Sequence, residues 1–176
     1  MLIGTLPPES VSFYFSHSTN TRLWDILNAI FLKQKVVSKG GNNLSENDKI
    51  KILDGLGLGI TDIIYGYNRT EIDSTRDDHI RPKAYKKLLD LAVENNINEL
   101  LFVYGSAYKW FLHSLEDLPP VQLSRLKGSY QIGFQKECVY RGKNIKCVLL
   151  PSPLNRGRKG ETLSFKLDFY HKFILR

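Results

Sequence analysis

The stretch "ELLFVYGSAYKWFL", Glu99 to Leu112, decides the fold. Its first half is an apolar run rich in strand-favouring residues, and Gly105 stops it. A helical pattern follows at once, from Ser106 to Leu115. A buried strand that passes directly into a helix is the repeating unit of an α/β sheet.

The same alternation extends to both sides. "LIGTLPP" opens the chain as a short strand, Leu2 to Leu6, stopped by Pro7 and Pro8. A loop runs to Asn20, and Thr21 to Leu32 then carries an apolar stripe at helical spacing. Lys33 to Asn43 reads as a polar connection. Ser45, with Asp48 three residues on, is the N-cap of a short helix that ends near Gly55. "GITDIIY" (Gly59–Tyr65) is a second strand. Tyr67 to Arg81 is expected to be a long polar loop, and Pro82 to open an amphipathic helix through "AYKKLLDLAVENN". Beyond the third strand, "RGKN" (Arg141–Asn144) predicts a hairpin that leads into the strand "IKCVLL" and the turn "PSPLNRG". Thr162 to Leu175 closes the chain as a helix.

The expected architecture is a three-layer α/β/α fold with a central, mostly parallel four-stranded sheet, in one domain over residues 1–176. Ligands of such sheets bind outside the carboxyl ends of the strands. That rule sends the loops beginning at Gly4, Thr61, Tyr104 and Pro151 into one crevice, with Thr5, Phe15, Asn20, Thr61 and Ser152 gathered there.

Composition bounds the function. With 176 residues, 42% of them hydrophobic, the chain can bury a real core. No apolar run reaches the length of a membrane span, and no basic-then-apolar leader is visible. The two cysteines, Cys138 and Cys147, form no CxxC, and the four histidines have no ligand spacing. No metal site is therefore expected, and the chain reads as a cytoplasmic protein. Its charge is lopsided: residues 121–176 hold 12 Lys/Arg against 3 Asp/Glu, while residues 1–120 hold 13 against 15. The basic surplus peaks at "NRGRKG" (Asn155–Gly160), either a solvated face or a contact for a polyanion.

Familiar catalytic signatures are missing. "GLGLG" (Gly55–Gly59) has the wrong spacing for a dinucleotide fingerprint and precedes a strand, so it is a helix stop. Neither a GxxxxGK[ST] phosphate loop nor a GxSxG elbow occurs.

Two segments stand out. One is "IGTLPPESVSFYFSHSTNTRLW" (Ile3–Trp24), with three aromatics beside a run of small polar groups. The other is "LLPSPLNRG" (Leu149–Gly157), where two prolines stiffen a turn that presents Ser152, Leu154 and Asn155. Together they resemble the two signature loops of the uracil-DNA glycosylase superfamily, nearest its mismatch-specific and hypoxanthine-DNA glycosylase branches. "GTLPP" is similar to the loop that holds the hydrolytic water there, and "LPSPLNRG" to the loop that grips phosphates and wedges a leucine into the stack. "GITDII" and "LLFVYGSAYKWF" match the second and third strands in order, so the resemblance runs from Leu2 to about Gly157.

The resemblance implies roles residue by residue. Asn20 would hold the attacking water, unless it serves only as a helix cap. Phe15 would stack on the extruded base, with Phe13 or Tyr14 as alternatives, and His17 would steady the loop. Gly4, Thr5, Thr61 and Asp62 would surround the base; Asp62 either accepts from its edge or caps a turn. Ser10, Ser152, Leu154, Asn155, Arg156, Arg158 and Lys159 would meet the DNA.

The departures are equally specific. Leu6 stands where the most active members carry a water-activating Asp, and Leu150 where the second motif usually starts with His. An insertion lies between Asn20 and Leu23, and the chain starts at its first strand without the family's leading helix. The expected function is a slow monofunctional DNA glycosylase, monomeric and free of cofactors, that excises a deaminated base, uracil or hypoxanthine. The alternative is a catalytically silent nucleic-acid-binding member of the same fold.

Overall fold

The computed structural model describes residues 1–5, 21–35, 43–71, 79–115, 118–128, 131–154 and 161–175. In chain order the elements are β1 (Leu2–Gly4), α1 (Leu23–Phe31), α2 (Glu46–Gly55), β2 (Ile60–Asp62), β3 (Ile64–Arg69), β4 (Ile80–Tyr85), α3 (Leu88–Glu94), β5 (Glu99–Phe102), α4 (Gly105–His113), α5 (Pro120–Leu126), β6 (Gln135–Tyr140), β7 (Lys143–Leu149) and α6 (Leu163–Ile174). They fall into two compact units: Met1–Phe13 with Ile60–Leu149, and Tyr14–Gly59 with Leu150–Arg176.

The first unit is built on a five-stranded sheet in the order β2-β1-β5-β7-β6. β1 pairs in parallel with β2 and β5, and β5 in parallel with β7. This is the mixed α/β class with a mostly parallel central sheet that was expected, with five strands in place of four. The extra strand is β6, which pairs antiparallel with β7. The two are joined at Arg141 and Gly142, both with positive φ (48° and 77°), which makes a two-residue loop of the primed kind that follows strand twist.

Parallel strands buried on both faces require continuous apolar runs. Leu2, Ile3, Leu100, Phe102, Val103, Cys147 and Val148 accordingly lie within the core. Phe102 packs edge-on against Tyr108 of α4, ring centroids 5.0 Å apart. Tyr108 satisfies its buried hydroxyl by donating to Leu126 O at 2.6 Å.

The segment after β2 departs from expectation. β3 and β4 form an antiparallel ribbon where a loop had been expected over Tyr67 to Arg81. Pro82 is inside β4, opposite Tyr67, and the helix begins only at Leu88. A two-stranded ribbon leaves every second N–H without a ladder partner, so proline is tolerated there. Gly66 faces Ala84 across an irregular register, and a Cβ on it would stand 3.2 Å from the Ala84 Cβ. Helix α5, with Pro120 in its first turn, had not been expected either.

The second unit holds α1, α2 and α6. α1 packs on both of the others, and Trp24, Ile26, Leu27, Ile30, Ile52, Leu167, Tyr170 and Phe173 are buried. Lys49 is buried with its ammonium over the Trp24 ring, 5.3 Å from the centroid, and burial lowers its pKa. Ser45 caps α2 as its sequence implies, accepting from Asp48 N–H at 3.2 Å. Ser45→Ala is expected to destabilise the protein by about 1 kcal/mol. Urea denaturation checks this, and an unchanged midpoint would show the cap to be dispensable. Among the described residues no helix is long and apolar enough to cross a membrane.

Candidate functional site

Parallel pairing puts the carboxyl ends of β1, β2, β5 and β7 on one edge of the sheet. From β1 the chain goes first to β2 on one side and later to β5 on the other. The strand order thus reverses between β1 and β5, and sheets of this kind bind ligands at such a switch point. Gly4 and Thr5 leave β1 there, and Tyr104 and Gly105 lead from β5 into α4.

The end of β2 meets the end of β1 in register. Gly4 lies opposite Asp62, Ile63 N–H donates to Gly4 O at 3.1 Å, and Ile64 N–H donates to Thr5 O at 3.0 Å. Gly4, Thr5, Thr61 and Asp62, all assigned to base binding, are thus brought together. Thr61 and Asp62 are both buried. Lys86 reaches this corner from beyond β4. Its backbone N–H donates to Ile63 O at 2.7 Å and its ammonium to Thr61 Oγ1 at 2.7 Å. The two bonds bracket Asp62.

Asp62 has unusual electrostatics. It is 5% exposed, and its Oδ1 has no hydrogen-bond partner. Burial pushes its pKa up to about 7, and the Lys86 charge opposes that rise without cancelling it. Near neutral pH the group is therefore divided between a carboxylate that only accepts and an acid that also donates.

The second unit contains the other motif. Thr21, directly after Asn20, forms an isolated antiparallel bridge with Leu154. Arg22 N–H donates to Pro153 O at 2.7 Å, and the Arg22 guanidinium pairs with Asp25. Lys166, buried on α6 with its pKa lowered by that burial, donates to Leu154 O at 2.6 Å. Tyr170 donates to Pro151 O at 3.0 Å, and Ser152 Oγ accepts from Leu154 N–H at 3.4 Å. On this pinned backbone the Leu154 side chain is 38% exposed. Leu150, by contrast, is 1% exposed and wholly apolar.

Leu6, Ser10, Phe13, Tyr14, Phe15, His17, Asn20, Asn155, Arg156, Arg158 and Lys159 lie outside the described residues. Two residues that matter were not found by sequence reasoning, Lys86 and Lys166. Lys86 sat inside an expected helix, and its contact with Thr61 spans 25 positions without a local signal. Among the described residues no group of three or more His, Cys, Asp or Glu could hold a metal ion. Comparison of the chain with protein-family models, curated proteins and solved structures finds no match.

Proposed function

We propose that the protein is a monofunctional DNA glycosylase that hydrolyses the N-glycosidic bond of a deaminated base, uracil or hypoxanthine. The observation that carries the reading is Leu154, an exposed apolar side chain on backbone held by the Thr21 bridge and Lys166. An exposed leucine on a mobile loop would fold back on the protein. Pinned by these bonds, and followed in the sequence by the basic run 155–160, it suits insertion into a base stack and contact with flanking phosphates. The strand-end corner of Gly4, Thr5, Thr61 and Asp62 supports the same reading, since an extruded base needs polar groups along its edge.

Phe15 stacks on the flipped base, a contact worth about 1–3 kcal/mol, and Asn20 orients the water. An amide is no general base, and lack of one costs roughly 10²–10⁴-fold, so excision is slow. The protein acts as a monomer without a cofactor, in the cytoplasm and on the nucleoid if the chain is bacterial. The test is a cleavage panel of oligonucleotides that carry uracil, hypoxanthine or xanthine, in single and double strands. Release of uracil or hypoxanthine is expected, and no release from any of them overturns the enzymatic reading.

A second reading is favoured by Leu150. A buried leucine where the resembled motif starts with a histidine supports a silent nucleic-acid-binding protein. Both readings predict salt-sensitive binding. Affinity for duplex should fall steeply with salt, and reversing Arg156, Arg158 and Lys159 should reduce the log–log slope by roughly one for each phosphate left without its cation. Fluorescence anisotropy at graded salt measures this. Salt-independent affinity would sink both readings.

A further inference from the structure

We propose that Lys86 is a catalytic residue of this site, the cation that meets the departing base. The inference rests on the glycosylase reading and adds a residue to it. When a glycosidic bond breaks, the C1′–N electron pair leaves with the base and spreads onto its carbonyl oxygen. The water oxygen bonds to C1′, its spare proton passes to solvent, and the base regains a proton from solvent. Hydrolysis is then balanced with no further reactant. What the protein has to supply is a fixed donor where the negative charge gathers.

Lys86 is such a donor. Its position is set at both ends: the backbone by Ile63 O and the ammonium by Thr61 Oγ1, each at 2.7 Å. One of the three ammonium hydrogens goes to Thr61, which leaves two for a ligand oxygen. The side chain is only partly buried, so it is open to a ligand at the carboxyl end of β2. Asp62 lies between the two anchor residues, yet Lys86 forms no direct ion pair with it among those described. A lysine present only to neutralise Asp62 would take its carboxylate. This one instead holds a neutral hydroxyl and keeps its charge available, while Asp62 Oδ1 stays without a partner.

The test uses the whole protein in single-turnover excision from oligonucleotides that carry uracil or 5-fluorouracil, with hypoxanthine alongside. Lys86→Met is expected to slow excision of the preferred base about 10²-fold, the usual effect of removing one such donor. Its affinity for substrate duplex should stay within threefold. Lys86→Arg should retain a tenth of the rate or more. The loss on 5-fluorouracil should be smaller than on uracil, because fluorine stabilises the departing anion and less help is needed. Thr61→Val, which removes the anchor but keeps the ammonium, should fall between wild type and Lys86→Met. Wild-type excision with an unchanged Lys86→Met rate, or equal losses on uracil and 5-fluorouracil, overturns the assignment of Lys86 alone. Absence of excision by the wild type overturns the glycosylase reading and the role of Lys86 together.

Discussion

Asp62→Asn is expected to make the protein more stable at pH 8, by up to about 4 kcal/mol, and to leave stability at pH 4 nearly unchanged. The reason is the raised carboxyl. Burial lifts its pKa from 3.8 to about 7, so the folded chain binds this proton more tightly than the unfolded chain does. Below pH 4 both states hold the proton, and the acid costs nothing extra. Between pH 4 and 7 the folded chain keeps a proton that the unfolded chain releases, so stability falls as pH rises. Above pH 7 the loss is complete, because an ionised carboxylate is buried with one oxygen unpartnered. Asparagine fills the same volume and does not titrate. Urea denaturation of both proteins at pH 4 and pH 8 isolates the effect of this one group. A mutant that differs from wild type by the same amount at both values would show that Asp62 does not titrate in that window. A cost of this size at neutral pH, kept in a strand-end corner, is the kind that functional sites retain.

The parallel sheet was readable because its strands are buried on both faces. "LIG" and "ELLF" carry short apolar runs that read as interior, with Gly4 and Gly105 marking where they stop, and "ITD" was found through the longer stretch "GITDIIY". The Ser45 cap was equally local, accepting from the N–H three residues on as its spacing implies, and Thr162 caps α6 in the same way. The β3–β4 ribbon was not readable, since a solvent-facing ribbon has mixed polarity and Pro82 looks more like a helix start than a strand residue. Helix α5 is short, capped by Pro119 and opened by Pro120, with too few turns to show a period.

The candidate site was legible in its position. The rule that ligands gather at the carboxyl ends of parallel strands leads to the strand ends at Gly4 and Thr61, while the roles given to Gly4, Thr5, Thr61 and Asp62 came from the resemblance. Lys86 could not follow from any such rule. Its position depends on the ribbon that sequence reasoning took for a loop, and that error carried the lysine into a helix. Lys166 was similarly hidden: on the α6 sequence it reads as one more solvated cation, whereas it is buried against Leu154 O. In both cases a hydrogen bond to a residue distant in sequence fixes the lysine, and no local pattern marks it.

Asn20→Ala and Leu154→Ala are expected to fail in opposite ways. Asn20 is proposed to orient the attacking water and to touch no phosphate. Asn20→Ala should therefore lower single-turnover excision by about 10²-fold or more while duplex affinity stays near wild type. Leu154 is proposed to fill the gap that the extruded nucleotide leaves. Leu154→Ala should weaken capture of paired substrate by roughly tenfold, about 1.4 kcal/mol and so a part of the few kcal/mol that unstacking costs, and should spare single strands, where no stack has to be opened. Each variant is thus a control for the other. The Leu154 backbone is held through main-chain atoms by Thr21 and Lys166, so truncating its side chain leaves those bonds in place and tests the wedge alone. Single-turnover rates on uracil or hypoxanthine, paired and unpaired, separate the outcomes. Wild-type excision by Asn20→Ala would reduce Asn20 to a helix cap. Equal losses by Leu154→Ala on single and double strands would mean that Leu154 packs against the nucleotide rather than entering the stack, and the wedge assignment would fall.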